Sequence, residues 1–222
     1  MEEILLDRAR SHVVSARDPV THGVHCALGG DDFSFLVTST LASQAPAAVG
    51  RALGSSLAHQ LNVASKFEPD FVSLVSMGDG SVHNAHALSA FNLAEYARHR
   101  NFKCPVVFVV SDNNLSISLP GYNWVRDGLL NRTNLPVYQG NGSDMFDAWD
   151  QTSAAVNHAR EAAAPVLLVY NSLARRFGHA ATDRQSAYLT TQQIKSLADS
   201  NPLAGRSGLL CSSSIDRYNQ SL

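Results

Sequence analysis

Three continuous apolar runs of strand length limit most strongly how this chain can fold: FVSLVS (71–76), PVVFVV (105–110) and PVLLVY (165–170). Continuous apolar strands are typical of sheets that are covered on both faces. Strands with one face exposed to solvent instead alternate apolar and polar residues. Helix-like stretches separate the runs, and a weaker strand is predicted at 135–139. The pattern predicts an α/β protein with a mostly parallel sheet in a three-layer α/β/α arrangement.

The stretches between the runs carry apolar residues at helical spacing. An Ala-rich helix is predicted at 45–61, and a second one at 84–100 has an inner face made of Ala87, Ala90, Phe91, Ala94 and Ala97. A third helix should begin at a cap formed by Ser143 or Asp144. Its predicted inner face holds Met145, Trp149, Thr152, Val156 and Ala159.

Three regions are predicted along the chain. Residues 1–32 read as a short amphipathic helix, at 3–16, followed by a Gly- and His-rich loop at 21–32. Residues 33–200 form the ligand-binding domain, which opens with a β-like stretch at 33–39. Residues 201–222 form a C-terminal tail with little pattern.

Composition argues against several classes of protein. The net charge is −2 and there is no long Lys/Arg run, so neither nucleic acid nor an anionic membrane is expected as a partner. The apolar runs are too short to span a bilayer. Cys26, Cys104 and Cys211 are odd in number and widely spaced, which favours a reducing compartment. Cys104 stands beside Pro105 just before a predicted buried strand, so it is expected to be an inert core thiol. No targeting segment is visible at the N-terminus.

Two small polar clusters follow neighbouring strands where each strand ends. MGDG (77–80) follows the first apolar run, and SDNNLSIS (111–118) follows the second. In an open parallel sheet, ligands bind beyond the carboxyl ends of the strands. The helix that begins near Asn84 also offers its N-terminus to an anion there.

A divalent cation reconciles these clusters with a phosphate ligand. Asp79 alone would repel a phosphate, whereas Mg²⁺ between them would bind both. Mg²⁺ prefers oxygen ligands, which the Asp79 carboxylate, the Asn114 amide and the Ser116 carbonyl can supply. The two clusters therefore predict a metal–diphosphate site.

GDG followed some thirty residues later by NN is similar to the thiamine diphosphate motif. More narrowly, the chain resembles the alpha subunit of 2-oxo acid dehydrogenase decarboxylase components, the branched-chain type in particular. The resemblance covers about 38–188 and is carried by TSTLASQAPAAVGRALG, GDGSVHNAHALSAFNLAEYA, VVSDNNLSIS and RRFGHAATDRQSAY.

The resemblance implies a set of site residues. Magnesium would be bound by Asp79, Asn114 and the backbone carbonyl of Ser116, and Leu41 would support the bent conformation of thiamine diphosphate. The residues expected to bind this cofactor are Ser39, Leu41, Gly78, Asp79, Gly80, Ser81, Asn114 and His179. A monovalent cation, K⁺ in the family, would be bound by Thr38, Ser43 and Gln44.

The resemblance assigns the catalytic roles to one loop, in the stretch RRFGHAATDRQSAY. His179 matches an active-site histidine, which either transfers a proton or holds the diphosphate and the substrate carboxylate. Arg175 matches a loop arginine. Ala180 stands where mitochondrial relatives carry a regulatory phosphoserine, so that switch is expected to be absent.

The family also implies partners. The glutamate that activates thiamine diphosphate would come from a beta subunit or a fused beta-like domain, and the acyl group would pass to a lipoyl-bearing acyltransferase component. The substrate would be a small 2-oxo acid. The family's N-terminal Tyr-Arg pair is not found before 21–26, so a fragment or a shortened relative is expected. The compartment would be the cytoplasm of a bacterial-type cell, or the mitochondrial matrix if a leader is missing.

Other readings compete with this one. A shortened, non-catalytic relative could keep the fold as a subunit-binding module. Another thiamine enzyme, such as an acetolactate synthase, fits the metal motif but not the RRFGHAATD loop. His22 with His25, and His83 with His86, have spacings that zinc could use, but no third ligand stands at a telling distance. His25 is also a weak candidate for contacting the substrate.

Overall fold

The computed structural model describes residues 2–23, 27–28, 34–119, 122–173, 178–179 and 183–199. Its largest sheet has four parallel strands in the order β3-β4-β6-β5. These strands are β3 (Ser73–Gly78), β4 (Val106–Ser111), β5 (Val137–Asn141) and β6 (Val166–Asn171). All four predicted strands are therefore present, and the parallel sheet predicted from the apolar runs is confirmed.

Helices cover both faces of β4 and β6, which contribute buried residues to both core layers. Helices α2 (Gln44–Gln60) and α3 (Ala85–His99) pack on one face, and α4 (Met145–Glu161) packs on the other. Alternate residues of β4 divide between the two layers: Phe108 packs beside Phe91 of α3, with ring centroids 4.9 Å apart, whereas Val107 packs with Ala155 of α4. The three-layer α/β/α class is thus confirmed.

Residues of the edge strand β3 instead alternate between buried and exposed, with Leu74 50% exposed. The coverage on both faces expected from the run at 71–76 is therefore wrong for β3.

The helix at 84–100 has the predicted inner face. Ala87, Ala90, Phe91, Ala94 and Ala97 are all buried. Alanines let the helix approach the sheet and α2 closely, and Phe91 fills the remaining space against Phe108. This face places the first turn of α3 beside the carboxyl end of β3.

The predicted inner face of α4 is wrong at its N-terminal half. Asp144 is the cap, since its side chain accepts hydrogen bonds from the backbone N–H groups of Phe146 and Asp147. Ala155 and Ala159 are buried, but Trp149 is 71% exposed and Met145 is 51% exposed. Trp149 points about 120° away from Ala155 around the helix axis. The small alanines contact the sheet, and the two large apolar residues face solvent.

The N-terminal region differs in detail from its prediction. Helix α1 (Glu2–His12) ends four residues earlier than expected. The β-like stretch at 33–39 contributes only β2 (Val37–Thr38), which pairs antiparallel with β1 (Ala27–Leu28) outside the main sheet.

The predicted tail at 201–222 lies outside the described residues. No helix in the described ranges is long and apolar enough to cross a membrane. A fifth helix, α5 (Thr191–Asp199), ends the described chain.

Candidate active site

Strand register brings the two polar clusters to one place. Gly78, the last residue of β3, pairs with Ser111, the last residue of β4, so both strands end at the same level. Asp79 and Asp112 follow directly. Burial raises the pKa of the Asp112 carboxyl, the nearby Asp79 charge raises it further, and a hydrogen bond from the Asn114 backbone N–H opposes the rise. Two carboxylates that repel each other at a half-buried point favour a cation between them.

The Asp79 side chain joins the two strand ends. It is 6% exposed, and its Oδ1 accepts a hydrogen bond from the Gly80 N–H at 2.9 Å. Its Oδ2 accepts from the backbone N–H groups of Leu115 and Ser116, each at 3.2 Å. A buried carboxylate requires such partners. Asp79 therefore fastens the loop after β4 onto the turn after β3.

The loop after β4 has an unusual backbone. Asn114, Ser116 and Ile117 have φ of 59°, 39° and 72°, in the left-handed region that β-branched residues rarely adopt. Besides the Asp79 bonds, the Asn123 N–H donates to Asn114 Oδ1 at 3.2 Å. Strain of this kind persists where surrounding contacts over-determine it, and it clusters at binding sites.

The two glycines of the GDG turn, Gly78 and Gly80, have different surroundings. A Cβ on Gly80 would lie 2.9 Å from Ile117 Cγ1, so the turn and the loop touch where Gly80 stands. Gly78 has an extended backbone (φ −82°, ψ 164°) and nothing within 4 Å of a built Cβ. Neither the backbone conformation of Gly78 nor its neighbours therefore require a glycine at this position. Ser81, which closes the turn, is 7% exposed.

The donor set at these strand ends fits Mg²⁺. Mg²⁺ is typically bound by one or two carboxylates together with other oxygens and a ligand's phosphates. Asp79, Asp112, the Asn114 amide and the Ser116 carbonyl provide oxygens from two adjoining segments. No group of three or more His, Cys, Asp or Glu side chains suited to a metal occurs in the part of the chain that is described, so a zinc-type set is not seen there. Asp112 was not among the residues predicted for the site, although it is the first polar side chain after β4.

The helix after the turn begins with its own cap. The Asn84 side chain accepts a hydrogen bond from the His86 N–H at 2.9 Å. His83 stacks on Trp124 with ring centroids 3.8 Å apart, and burial lowers the pKa of its imidazole. His83 therefore has a structural contact, whereas His86 contributes only its backbone N–H to the cap and its side chain is exposed. His25 of the other pair lies outside the described residues.

The residues predicted for the monovalent cation lie close together. Thr38 Oγ1 and Ser43 Oγ are 3.2 Å apart. Gln44 Nε2 donates to the Ser76 carbonyl at 2.9 Å, which ties this turn to the outer edge of β3. Gln44 Oε1 is buried without a hydrogen-bond partner among the described residues. Oxygens in this arrangement fit a cation, and the K⁺ site stays a prediction.

Ser39 and Leu41 lie in the same turn, just before α2. Both are exposed, with Leu41 at 38%. The Gln44 bond to β3 positions this turn near the carboxyl edge of the sheet. Their predicted contacts with the cofactor remain predictions.

His179 borders a cleft that it shares with the loop after β4. The cleft has a volume of about 560 Å³ and is lined by Ile117, Ser118, Leu119, His179, Asp183, Arg184, Ala187 and Tyr188. Two motifs that are far apart in sequence therefore meet at one cavity. Arg175, the other predicted catalytic residue, lies outside the described residues.

Asp183 holds the His179 backbone. Its Oδ2 accepts hydrogen bonds from the His179 N–H at 2.6 Å and from the Tyr188 hydroxyl at 2.8 Å. A Cβ on Gly178 would lie 2.9 Å from the same oxygen. Asp183 and Tyr188 were not predicted as site residues. Their presence in the RRFGHAATDRQSAY stretch was the available signal.

A larger groove, of about 830 Å³, runs along the outer edge of β3 between Phe35, Phe67 and Phe71. It contains Gln44 and Ser76 but not the GDG turn or His179. The smaller cleft is the better candidate for the reaction, because the loop that follows β4 and the segment that carries His179 both line it.

This geometry defines an α/β protein with an oxygen-rich acidic site where two adjacent parallel strands end, beside a cleft bordered by a histidine. The sequence profile of the dehydrogenase E1 component family matches residues 31–216, most of the chain. The chain therefore belongs to the dehydrogenase E1 component family. The match confirms the predicted 2-oxo acid dehydrogenase family and, with it, thiamine diphosphate as the cofactor that the family implies. It does not distinguish the alpha subunit or the branched-chain type.

Comparison with other proteins adds little to the profile match. No curated protein matches the chain in sequence. Among solved structures, a transketolase mutant from Pichia stipitis is similar with a TM-score of 0.47 and 22% sequence identity, over 74% of this chain and 25% of that chain. This chain thus spans about a quarter of the transketolase chain's length. The family assignment rests on the sequence profile, and the fold class on the observed sheet and helices.

Proposed function

We propose that this chain is the alpha part of a 2-oxo acid dehydrogenase decarboxylase component of the branched-chain type. It binds thiamine diphosphate and Mg²⁺, decarboxylates a 2-oxo acid oxidatively, and passes the acyl group to a lipoyl group. The observation that supports this most directly is the Asp79 carboxylate, which bonds the turn after β3 to the loop after β4. The family match supports the class of reaction.

The residues at the strand ends bind the cofactor in this proposal. Asp79, Asn114 and the Ser116 carbonyl hold Mg²⁺, with Asp112 adding negative charge beside it. Gly78 leaves its approach open, since nothing lies within 4 Å of its missing Cβ. Gly80 and Ser81 contact the diphosphate, and Ser39 and Leu41 contact the rest of the cofactor. Thr38, Ser43 and Gln44 bind K⁺.

Thiamine diphosphate, when bound, supplies the electron sink that makes loss of CO₂ possible. The protein supplies placement. His179 borders the cleft with its backbone held by Asp183, and there it holds or transfers a proton on the substrate side. Arg175 serves as the second catalytic residue. Ile117 and Leu119 add apolar side chains to the lining of this cleft.

A partner is needed to complete the site. Glu95 accepts hydrogen bonds from the Thr133 hydroxyl at 2.8 Å and the Asn134 N–H at 2.9 Å, so it anchors a loop to α3. Glu68 lines the groove along β3, and Glu161 is the last residue of α4. None of these three glutamates lines the cleft. A beta subunit or a fused beta-like domain therefore supplies the activating glutamate, and a lipoyl-bearing acyltransferase component accepts the acyl group. The assembly is a heterotetramer in the cytoplasm of a bacterial-type cell or in the mitochondrial matrix.

One rival function has a specific observation in its favour. Among the described residues before position 39, helix α1 and the β1–β2 ribbon both lie outside the main sheet. A non-catalytic relative that binds a subunit would tolerate this. The presence of Asp79, Asn114 and His179 together favours the enzyme.

Isothermal titration calorimetry separates these two functions. The full chain is titrated with thiamine diphosphate in the presence of Mg²⁺, alone and with a candidate beta partner. Omission of Mg²⁺ and substitution of thiamine for the diphosphate are the controls. Mg²⁺-dependent binding of the diphosphate supports the enzyme. If heat of binding is absent both alone and with the partner, the non-catalytic function replaces it.

A further inference from the structure

The cleft beside His179 contains one arginine that neither the sequence motifs nor the family match singles out. Arg184 lines this cleft and lies in the turn that precedes a short 3₁₀ helix, Gln185–Ala187. Its side chain is exposed at the mouth. Its carbonyl accepts a hydrogen bond from the Ala187 N–H at 2.9 Å, whereas its guanidinium makes no ion pair or hydrogen bond with another residue in the described ranges 2–23, 27–28, 34–119, 122–173, 178–179 and 183–199. The cleft therefore presents a guanidinium whose donors are not used by the described protein.

The neighbouring acid does not neutralise Arg184 through a contact in the structure. Asp183 Oδ2 accepts from the His179 N–H and from the Tyr188 hydroxyl. These two bonds fix Asp183 to the His179 loop. Arg184, next to it in sequence, lines the cleft, and a guanidinium offers five N–H donors in a planar fork that match a carboxylate.

Charge divides the site into two parts. The strand ends carry the carboxylates of Asp79 and Asp112, which repel an anion unless a cation lies between. The cleft carries Arg184 against walls made of Ile117, Leu119 and Ala187. Its volume of about 560 Å³ is within the range of small-molecule sites. An anionic ligand with a short apolar body fits this cleft with its charged end at Arg184.

We propose that Arg184 binds the carboxylate of the 2-oxo acid substrate, so that this chain contributes to substrate selection as well as to cofactor binding. This inference rests on the proposed function for the identity of the ligand. The same contact could engage the carboxylate next to the ketone or a distal carboxylate of a dicarboxylic acid. Both are charge-assisted, two-point contacts of a guanidinium with a carboxylate.

The test measures binding of the acid directly and does not require turnover. The full chain, labelled with ¹⁵N, is titrated by NMR with 3-methyl-2-oxobutanoate, with 2-oxoglutarate, and with the uncharged ketone 3-methyl-2-butanone, alone and with a beta partner. Arg184→Gln should weaken acid binding roughly three- to tenfold, because a solvent-exposed charge-assisted contact is lost. Arg184→Lys should recover part of the loss. The matched control is Arg100→Gln, an exposed arginine at the opposite end of α3.

The outcomes distinguish the alternatives. Weakening for both acids assigns Arg184 to the carboxylate beside the ketone, and weakening for 2-oxoglutarate alone assigns it to a distal carboxylate. Unchanged binding in Arg184→Gln, equal loss in Arg100→Gln, or no binding of either acid to the wild-type chain overturns the proposal. A tenfold loss of thiamine diphosphate affinity in Arg184→Gln also overturns it, since the arginine would then serve the diphosphate. Failure of thiamine diphosphate to bind the wild-type chain would instead count against the proposed function.

Discussion

The Asp79 carboxylate accepts a hydrogen bond from the backbone N–H of Ser116 at 3.2 Å, across 37 positions of sequence. The same oxygen accepts from Leu115, and the other accepts from Gly80. One buried side chain thus closes the turn after β3 and holds the loop after β4. This contact has a structural role as well as the proposed metal-binding one, and the two can be separated by mutation.

Asp79→Ala should lower the free energy of unfolding by roughly 1–3 kcal/mol, because three backbone N–H groups lose their acceptor at a buried site. Asp79→Asn keeps one acceptor oxygen and should lose less stability. Both variants should lose Mg²⁺-dependent binding of thiamine diphosphate, since the charge is gone. Urea denaturation and calorimetric titration measure the two effects, with Asp150→Asn, an exposed carboxylate on α4, as the control. Unchanged cofactor binding in Asp79→Asn would remove this residue from the metal site.

Gly80→Ala should destabilise the fold by roughly 1–3 kcal/mol, because the new methyl group would lie 2.9 Å from Ile117 Cγ1. Gly78→Ala should leave stability nearly unchanged, since its Cβ would meet nothing within 4 Å. Ile117→Ala in the Gly80→Ala background should recover part of the loss by making room. Thermal denaturation of the wild type, Gly80→Ala, Ile117→Ala and the double variant forms a double-mutant cycle. Equal stability of the two glycine variants would contradict the close approach.

Gly78 offers a separate test of ligand approach. Neither its backbone conformation nor a neighbour within the protein requires glycine there. If the diphosphate lies against this residue, Gly78→Ala should weaken thiamine diphosphate binding while stability is kept. Normal affinity in that variant would place the diphosphate elsewhere on the turn.

His179→Ala should reduce turnover of the assembled enzyme far more than it reduces affinity for thiamine diphosphate, because His179 borders the substrate cleft. Asp183→Asn and Tyr188→Phe should produce a milder version of the same effect, since they remove parts of the contact that holds the His179 backbone. Steady-state kinetics and calorimetry give the comparison. Full turnover by His179→Ala would exclude it from the mechanism, and full turnover by Asp183→Asn would make that contact dispensable.

Burial raises the pKa of the Cys104 thiol from an ordinary 9.0 to about 12. The unfolded chain therefore releases this proton above about pH 9 while the folded chain retains it, so stability falls as pH rises from about 9 toward about 12. Between about pH 8 and about pH 10 this group should reduce the free energy of unfolding by about 1.4 kcal/mol. Cys104→Ala should remove that part of the pH dependence in denaturant titrations at both values. Because Cys26 and Cys211 are present in both proteins, their contributions cancel in the comparison. An identical pH dependence in the variant would show that the thiol ionises in the folded state.

Sequence periodicity alone was enough for the sheet and for two of the three covering helices. β4 and β6 are largely buried and appear in the sequence as continuous apolar runs, and the buried alanines of α3 repeat at helical spacing. The run at 71–76 also marked a strand, but β3 lies at the edge of the sheet and its residues alternate between buried and exposed. The same reasoning failed for α4, where Met145 and Trp149 were assigned to the core. Hydrophobicity marks a residue as able to be buried, but the space available beneath the helix decided that Ala155 and Ala159 would occupy it.

The sequence by itself determined that strands β3 and β4 end in GDG and NN, and that the chain carries an E1-type histidine loop. These features are local, so order along the chain is sufficient to read them. Only the tertiary structure decided that Asp79 bonds to Leu115 and Ser116, that Ile117 covers Gly80, and that Arg184 shares a cleft with His179. Such contacts depend on strand register and on the course of loops with positive φ. The spacing of residue types encodes neither the strand register nor the course of these loops, because both are set by packing between segments that are far apart in sequence.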